Sequence, residues 1–388
     1  MKSPVTPLFG ASRVALVHDF LLDLRGAERV FLELCAMWPQ ADVFTAVYDE
    51  EGTRGRFSDH AVTTTFLQKL HPTARTFRAL LPLYPTAIES LDLSGYDLVV
   101  SSSSAWAHAV RCGEHAVHVC YCHNPFRYVW NERDQTLARR GRLTRVALRK
   151  LFAWWRKWDW VAAQRTDSYI ANAELARERI RAYFGREATV VHPPVHVERF
   201  SPGPVGDHYA IVAELMPHKQ IDVAVEAFNR LRRPLLVVGD GPAYRRLRRA
   251  AGPTISFTGR LPDAEVAFVL RSARALVITS VEEFGITSVE AQAAGRPVIA
   301  RGAGGALETI VDRITGCFWS GGPGELTAAV AAFDETEIDS RACVANAARF
   351  APPRFRAGIQ AEVMDARAGR DRRAAVRQRT EASSLLAS

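Results

Sequence analysis

Two carboxylates, Glu282 and Glu290, stand eight positions apart in the stretch EEFGITSVEAQAAGRPVIARGAGGALE, which runs from residue 282 to residue 308. Gly285 lies between them and permits a tight turn into a helix predicted over 286–294. A carboxylate accepts two hydrogen bonds, so it matches a pair of vicinal hydroxyls of a sugar or a ribose. The first N–H groups of a helix suit a diphosphate. The pattern indicates a site for a ligand with both hydroxyls and phosphates.

Both carboxylates also have an ordinary explanation, because the helix dipole stabilises acidic side chains near a helix start. Lys219 follows a strand predicted over 208–215, where its ammonium group either neutralises phosphate or is simply solvated. Gly239 ends the next strand within a Gly-Asp-Gly-Pro turn. It either lets the backbone approach a ligand or only makes the turn tight.

The first half of the chain offers two further candidates. His123, in the sequence YCHNP, directly follows a predicted strand, and its role is either functional or structural. Gly26 opens the first predicted helix, where backbone N–H groups can meet an anion or where a loop simply ends. No GxGxxG motif follows the first strand, so a dinucleotide-binding dehydrogenase is unsupported.

Strands and helices alternate along the chain, and apolar strands in such an alternation predict a parallel sheet covered on both faces. The predicted strands are 13–19, 42–47, 96–104, 116–122, 167–173 and 188–194 in the first half, and 208–215, 234–241, 254–260, 275–280, 297–302 and 315–320 in the second. The expected fold class is α/β, with two Rossmann-like doubly wound domains facing across a cleft. In such sheets ligands bind beyond the carboxyl ends of the strands, where the candidate residues lie.

The domain boundaries follow from composition. The segment 192–207 is rich in proline and glycine and is the best linker candidate. We therefore expect a first domain over 1–200 and a second over 205–350. A helical segment over 351–366 is expected to return to the first domain, followed by a basic, disordered tail over 367–388.

Composition limits the class of protein. The 388 residues are 48% hydrophobic and 24% charged, which is typical of a folded globular protein. No apolar run reaches the ~20 residues that span a bilayer, and the N-terminus lacks a signal-peptide core, so a cytoplasmic location is expected. The net charge of +8 is concentrated in 139–157 and 367–379. Such charge suits nucleic acid or an anionic membrane, but no nucleic-acid-binding module is present, and no nucleic-acid partner is predicted.

Several stretches together resemble a known family. The spacing of Glu282 and Glu290, followed by EAQAAGRPVIA and GGALE, is similar to the signature of the family-4 retaining glycosyltransferases, which have the two-domain GT-B fold. ALVHDFL, GAERV, HVCYCHNPFRYVW, YIANAE, VVHPPV and PLLVVGDGP extend the resemblance over almost the whole chain. They are similar to the branch that contains O-antigen and exopolysaccharide mannosyltransferases.

The resemblance implies a function in cell-surface polysaccharide synthesis: transfer of a hexose, with mannose from GDP-mannose favoured, to a glycan or lipid-linked saccharide. It implies that Glu290 binds the ribose hydroxyls of the donor and that Glu282 holds the donor sugar, with help from the backbone of Phe284, Gly285 and Ile286. It implies that Lys219 contacts the diphosphate. The further implied roles are a diphosphate contact for Gly26, a donor contact for Gly239, and a sugar contact near the anomeric carbon for His123.

One position departs from the family pattern. The family usually has an arginine five residues before the lysine, and this chain has Glu214 there. The loss of that arginine either weakens donor binding or is offset by another basic residue such as Arg260. The resemblance implies retention of configuration, with a diphosphate oxygen taking the acceptor's proton. No D-x-D triplet occurs in the chain, so neither a metal nor another cofactor is expected. A catalytically weak or inactive scaffold remains the alternative.

The segment 141–163 is predicted to form a basic amphipathic helix. On a helical wheel one arc holds Leu143, Ala147, Leu151, Trp154, Trp155, Trp158 and Val161, and the opposite arc holds Arg142, Arg145, Arg149, Lys150, Arg156 and Lys157. Tryptophans opposite basic residues are typical of helices at a membrane interface, and an anionic inner membrane face is one predicted partner. The alternative is that the tryptophans pack into the core of the first domain.

Overall fold

The computed structural model describes residues 12–74, 76–138, 140–334 and 338–386, with side chains as far as residue 372. Residues 1–11, which belong to the predictions about the N-terminus, lie outside the described residues. So do Arg139 of the basic segment and the last two residues of the predicted tail. The described residues form two compact units: unit 1 contains those up to 191 and those from 356 onward, and unit 2 contains those within 192–355.

Unit 1 is a parallel sheet with helices between its strands. Its elements in chain order are β1 (Val14–His18), α1 (Gly26–Met37), β2 (Asp42–Thr45), β3 (Val62–Thr64), α2 (Tyr84–Glu89), β4 (Leu98–Ser103), β5 (Val117–Cys122), α3 (Arg133–Ala138), α4 (Arg142–Ala163), β6 (Ser168–Ala171), α5 (Glu174–Phe184) and β7 (Ala188–Val190). Every residue of β4 and β5 is buried, because these central strands are covered on both faces.

Unit 2 repeats the alternation more regularly. Its elements are β8 (Tyr209–Val212), α6 (Ile221–Leu231), β9 (Leu235–Val238), α7 (Tyr244–Ala250), β10 (Ile255–Gly259), α8 (Asp263–Ser272), β11 (Leu276–Ile278), α9 (Ile286–Ala293), β12 (Val298–Arg301), α10 (Ala306–Thr309), β13 (Gly316–Trp319), α11 (Pro323–Asp334) and α12 (Ser340–Ala347). The final helix, α13 (Pro352–Leu386), begins in unit 2 and continues in unit 1.

Both sheets have the doubly wound strand order. It is β3-β2-β1-β4-β5-β6-β7 in unit 1 and β10-β9-β8-β11-β12-β13 in unit 2, and all described pairs are parallel. The prediction of two Rossmann-like α/β domains is therefore confirmed. The order reverses between β1 and β4 in one sheet and between β8 and β11 in the other. Such switch points open a crevice at the carboxyl ends of the strands, which is where ligands bind in this fold.

The predicted linker over 192–207 does not separate the two units. It packs on unit 2, where Gly206 N–H donates to the Ser272 carbonyl at 2.8 Å and the buried Arg296 side chain donates to the Gly203 carbonyl. The first unit thus ends at residue 191 and not at residue 200. Proline content predicts a break in regular structure, but it does not predict whether the segment is packed.

The tail that was expected to be disordered from residue 367 continues helix α13 as far as Leu386. Two side chains at its start are anchored to unit 1: Arg367 donates to Ser12, and Arg370 pairs with Asp167 at 2.7 Å. The arginine- and alanine-rich sequence also favours helix. Among the described helices, none is both long and apolar enough to cross a membrane.

Candidate functional site

The switch point of unit 2 brings Lys219 and Glu282 into contact. Lys219 lies between β8 and α6, and Glu282 follows β11, the strand next to β8. The Lys219 ammonium group lies 2.8 Å from one carboxylate oxygen of Glu282 and 2.6 Å from the other. Two residues 63 positions apart in the sequence therefore form one charged centre at the carboxyl edge of the sheet.

Neighbouring hydroxyl groups orient this ion pair. Ser280 donates to the Glu282 carboxylate, and Thr279 donates to the Lys219 carbonyl at 2.6 Å. Burial by itself would raise the pKa of Glu282, but the charge and hydrogen bonds of Lys219, with those of Ser280 and the charge of His218, outweigh it and lower the pKa. Glu282 is therefore an anion and an acceptor at neutral pH.

The loop between β11 and α9, residues 279–285, is hydrogen-bonded to the start of α10. Gly305 N–H donates to the Glu282 carbonyl at 2.9 Å. Gly285 ends the loop with a φ of +89°, a conformation that glycine adopts without strain, and α9 begins at Ile286. Ser288 N–H already donates to the Gly285 carbonyl at 2.9 Å. The N–H groups of Ile286 and Thr287, the first two of α9, have no acceptor within the helix and suit an anion.

Glu290 lies one turn into α9 and is half-buried between the buried residues Val289 and Ala291. A buried polar network fixes the opposite side of this helix. Its members are Ser288, Gln292, Thr309 and Asn346, joined by the Gln292 and Asn346 side-chain amides to the Thr309 carbonyl, at 2.8 Å each. This network fixes the rotation of α9 about its own axis and so the direction of Glu290. The small apolar residues of the helix would not fix it by themselves.

Gly239 has a reason to be glycine that involves no ligand. A Cβ at this position would overlap the Ala213 carbonyl oxygen, and its φ is +134°. The Gly-Asp-Gly-Pro turn packs on the segment that leads to Lys219, with Leu215 N–H donating to the Asp240 carbonyl at 2.9 Å. The turn thus supports the loop after β8.

The predicted substitute cation, Arg260, follows the edge strand β10, and β9 separates that strand from β8. Another cation contacts the residue next to Lys219. Arg301, at the end of β12, donates to the side-chain oxygen of Gln220 at 2.7 Å. Sequence reasoning missed Arg301, although a basic residue that ends an otherwise apolar strand is a usable signal.

His123 lies at the equivalent edge of unit 1. It directly follows β5, and its Nε2 lies 2.9 Å from the hydroxyl of Ser102 on the neighbouring strand β4. Burial, and secondarily the charge of His18, lowers the pKa of His123 to about 3. The imidazole is therefore neutral at physiological pH and serves as a hydrogen-bonding group. Ser102 was not predicted, although four consecutive serines at a strand end are a polar signal.

Gly26 begins α1 beside this edge, and two buried side chains lie under that helix start. Glu28 accepts from the Arg25 N–H at 3.0 Å, and its other oxygen lies 3.8 Å from His18 at the end of β1. The buried Asp19 carboxylate accepts from four consecutive N–H groups, those of residues 104–107. These contacts fix the loops after β1 and β4, and with them the surroundings of Gly26 and His123.

Helix α4 is amphipathic, but its two faces differ from the predicted arcs. Trp155 is 4% exposed and packs on Trp106 with ring centroids 5.1 Å apart, and Trp158 packs edge-on against the same ring. The aromatic arc was therefore wrong in part, since Trp155 and Trp158 belong to the core. Both side chains pack against Trp106, which lies about fifty residues before Trp155. A helical wheel of α4 alone could not predict this contact.

The opposite face of α4 combines apolar and basic side chains in the open. Leu143 is 88% exposed and Trp154 is 52% exposed. The aligned exposed residues are Leu143, Val146, Lys150, Trp154, Lys157 and Val161. Two of the predicted basic residues are used internally instead: Arg145 donates to the Leu137 carbonyl at 3.2 Å, and Arg156 lies over the Trp130 ring at 4.5 Å.

Within the described residues, no group of three or more histidine, cysteine, aspartate or glutamate side chains is arranged to hold a metal ion. The carboxyl edge of the unit 1 sheet offers a neutral imidazole, that of His123. The carboxyl edge of the unit 2 sheet offers an ammonium group, a helix start and two carboxylates. This set suits a polyhydroxyl ligand with a diphosphate.

Two sequence families match the two halves of the chain. Residues 24–199 match the family described as Glycosyltransferase Family 4, and residues 207–334 match the family described as Glycosyl transferases group 1. Together these matches contain Gly26 and His123 in unit 1, and Lys219, Glu282 and Glu290 in unit 2.

Curated relatives match part of the chain. A GDP-mannose-dependent alpha-(1-6)-phosphatidylinositol monomannoside mannosyltransferase from Mycolicibacterium smegmatis is 31% identical over 177 residues, which is 37% of this chain and 46% of the relative. A D-inositol 3-phosphate glycosyltransferase from Mycobacterium bovis is 28% identical over 182 residues, covering 40% of this chain and 38% of the relative. The matches thus span less than half the length of these relatives.

Solved structures share the fold over nearly the whole chain. An Anabaena protein, Alr3699/HepE, in complex with UDP and glucose superposes with a TM-score of 0.69 at 18% identity and covers 91% of this chain and 99% of its own. The apo form of WaaB, a lipopolysaccharide outer core galactosyltransferase, gives a TM-score of 0.64 at 15% identity, covering 91% of this chain and 99% of its own.

Proposed function

Because the chain belongs to the family-4 glycosyltransferases with the GT-B fold, we propose that it transfers a hexose from a nucleotide sugar to a glycan or a lipid-linked saccharide in cell-surface polysaccharide synthesis. The observation that supports this most is the Lys219–Glu282 pair at the switch point of unit 2, beside the start of α9. It combines a cation for a diphosphate with a carboxylate for hydroxyl groups.

Each site residue of unit 2 has a role in this proposal. The Lys219 ammonium group and the first N–H groups of α9 bind the donor diphosphate. The Glu282 carboxylate accepts hydrogen bonds from the sugar, and the Glu290 carboxylate accepts from the two ribose hydroxyls. Arg301 adds positive charge near Lys219, in the place of the arginine that Glu214 replaces.

In unit 1, His123 is proposed to contact the donor sugar, and Gly26 the diphosphate. Ser102 holds the His123 ring at Nε2, so the ring's other nitrogen, Nδ1, is the atom that would meet a hydroxyl group. A neutral ring suits this task, because one of its nitrogens donates and the other accepts.

GDP-mannose is the proposed donor. Its support is the mannosyltransferase relative, which is named as GDP-mannose-dependent and is 31% identical over the matched residues. The Anabaena neighbour binds UDP and glucose, but at 18% identity its likeness concerns the fold. UDP-glucose is therefore the comparison donor in the test.

The proposed reaction retains configuration at the anomeric carbon. The bond from that carbon to the diphosphate oxygen breaks, the acceptor oxygen bonds to the same face, and the acceptor's proton passes to a diphosphate oxygen. Lys219 and the α9 start stabilise the charge that develops on the leaving nucleoside diphosphate. These groups carry the charge in place of a metal ion, which the reaction is proposed not to need.

Incubation with GDP-mannose or UDP-glucose and a panel of polyprenyl-diphosphate saccharides tests the proposal. Mass spectrometry should detect acceptor that has gained one hexose with GDP-mannose, and NMR of the product should show the donor's anomeric configuration. If both donors stay intact and neither binds the chain, the inactive-scaffold alternative holds instead.

A membrane surface is proposed as the second partner, bound through the exposed face of α4. That face carries Leu143, Trp154 and Val161 together with Lys150 and Lys157. Tryptophan and leucine insert at the headgroup boundary, and each lysine near an anionic surface contributes about 1 kcal/mol. This contact would bring the enzyme to a lipid-linked acceptor.

Co-sedimentation with vesicles of phosphatidylglycerol and phosphatidylcholine tests the membrane contact. Binding should fall with salt and fall further in a Lys150→Glu, Lys157→Glu variant. The matched control reverses two exposed charges on α7 of unit 2, Arg245→Glu and Arg249→Glu, and should bind like the parent. The membrane contact is wrong if the parent stays in the supernatant at low salt, or if both variants lose binding equally.

A further inference from the structure

Three aromatic rings meet behind the β11–α9 loop. The His192 ring stacks on Phe284 with centroids 5.3 Å apart and planes 30° from parallel. Phe350 packs edge-on against both of them, again at 5.3 Å. Phe284 is 3% exposed, so its side chain is anchored inside unit 2 while its backbone stays in the loop. The ring of Phe284 thus fixes where that backbone lies.

A hydrogen bond ties His192 to the element that carries the loop. His192 Nε2 lies 2.8 Å from an oxygen of Glu308 on α10. A carboxylate only accepts, so Nε2 carries the hydrogen and donates it. Glu308 lies one turn after Gly305, whose N–H donates to the Glu282 carbonyl and whose Cα lies so close to Phe284 that a Cβ would overlap its main chain. His192 therefore contacts the loop through Phe284 and α10 through Glu308.

We infer that His192 is a positioning residue for donor binding, which it controls by holding the β11–α9 loop through Phe284 and Glu308. The inference rests on the proposed function, because the loop must bind a donor through Glu282. Its physical basis is that Phe284 lies two residues after Glu282 and directly before Gly285, so a shift of that ring displaces the main chain that carries both the carboxylate and the start of α9. A displacement of about 1 Å is enough to weaken such contacts severely.

Four substitutions at His192 and Glu308 separate the two contacts of His192. His192→Phe keeps a ring on Phe284 and removes the N–H donor, whereas His192→Gln keeps a donor and removes the ring. Glu308→Ala removes the acceptor, and Glu308→Gln restores a side-chain oxygen that can accept. His196→Phe is the matched control, because His196 pairs with Glu198 at 2.8 Å in the same segment but is exposed.

Isothermal titration of the full chain with GDP-mannose and with UDP-glucose is the measurement. His192→Phe, His192→Gln and Glu308→Ala should weaken the Kd of the bound donor at least tenfold with unchanged stoichiometry. Glu308→Gln should stay within threefold of the parent, and His196→Phe should match it. A merely structural role would instead lower the stoichiometry, through misfolded protein, and leave the Kd unchanged.

The outcomes separate this inference from the proposed function. If the parent binds neither donor, both are overturned. If the parent binds and the folded His192 and Glu308 variants bind equally well, only the positioning role is overturned. Should the His192 variants fail to fold, the Glu308→Ala and Glu308→Gln pair decides alone, since Glu308 is partly exposed and its loss leaves the ring stack in place.

Discussion

Lys219 and Glu282 form an ion pair in the structure, with both carboxylate oxygens within 2.8 Å of the ammonium group. In the proposed complex the same two groups bind different parts of the donor, the diphosphate and the sugar. Donor binding therefore replaces an existing ion pair. Both side chains are less than a quarter exposed, so separating them without new partners would be unfavourable, and the diphosphate and the sugar hydroxyls must supply those partners.

Replacing Glu290 by alanine should lower transfer at least ~100-fold, about 2.7 kcal/mol in the barrier, because two charged hydrogen bonds to the donor are lost. The fold should persist, since the network of Gln292, Thr309 and Asn346 still holds α9. Initial rates at fixed donor measure the effect. The control is Glu265→Ala, an exposed carboxylate on α8, which should match the parent. Activity of Glu290→Ala within a few-fold of the parent contradicts the site.

His123→Ala should lower turnover at least ~10-fold, about 1.4 kcal/mol, because a contact to the donor sugar is lost. Ser102→Ala should have a smaller effect in the same direction, since it frees the ring without removing it. Because burial lowers the pKa of His123 to about 3, the turnover of the parent should show no titration of this residue between roughly pH 5 and pH 8. A change of turnover with a midpoint near pH 6.5 in the parent, absent from His123→Ala, is the result that would count against this role.

Activity should persist in EDTA, because Lys219 and the α9 start supply the positive charge at the diphosphate. Rates after dialysis against EDTA, compared with rates after adding Mg²⁺ or Mn²⁺, measure this. Activity that returns only with a divalent ion would show that the chain's own cations are insufficient, and the charge-stabilising role would fail.

The buried His118 predicts a loss of stability in acid. Burial foremost, and then the electrostatic effect of His108 and Arg165, lowers the pKa of His118 to about 3, and its Nε2 lies 2.8 Å from the Ser101 hydroxyl. The unfolded chain takes up a proton below about pH 6.5 and the folded chain does not, so the stability is complete above that pH and falls towards pH 3. The slope for this group is about 1.4 kcal/mol per pH unit.

Denaturant midpoints between pH 7.5 and pH 5 measure that loss. They should fall less steeply for His118→Gln than for the parent, whatever the stability of the variant at pH 7.5. Equal slopes would mean that His118 is protonated in the folded chain, contrary to its burial.

The sequence predicted the elements that carry the site because their signals are local. Apolar strands ending in polar or glycine residues located Lys219, Glu282 and His123 at the sheet edges, and the eight-residue spacing located Glu290 on α9. The three-residue edge strand Val62–Thr64 was missed because it has too few residues for a periodic pattern. Helix α12 was missed as well, since its small residues give no clear apolar face.

What sequence reasoning could not predict depends on contacts between distant residues. The contact of Arg301 with Gln220, 81 positions earlier, exists only because the folded sheet brings the end of β12 close to the loop after β8. The segment from His192 looked like a linker because of its prolines, yet Val195 N–H donates to the Phe350 carbonyl at 2.9 Å and the segment packs on unit 2. The burial of Trp155 depends on Trp106 in the same way.

The most direct test of the central claim is a calorimetric titration of the full chain and of Lys219→Met with GDP-mannose. The account predicts that the parent binds with one site per chain and that Lys219→Met binds at least ~10-fold more weakly, about 1.4 kcal/mol. Methionine keeps the length of the side chain, so the loss reports the charge. Equal affinity of the two proteins, or no binding of GDP-mannose or UDP-glucose by the folded parent, would contradict a nucleotide-sugar site at the Lys219–Glu282 pair.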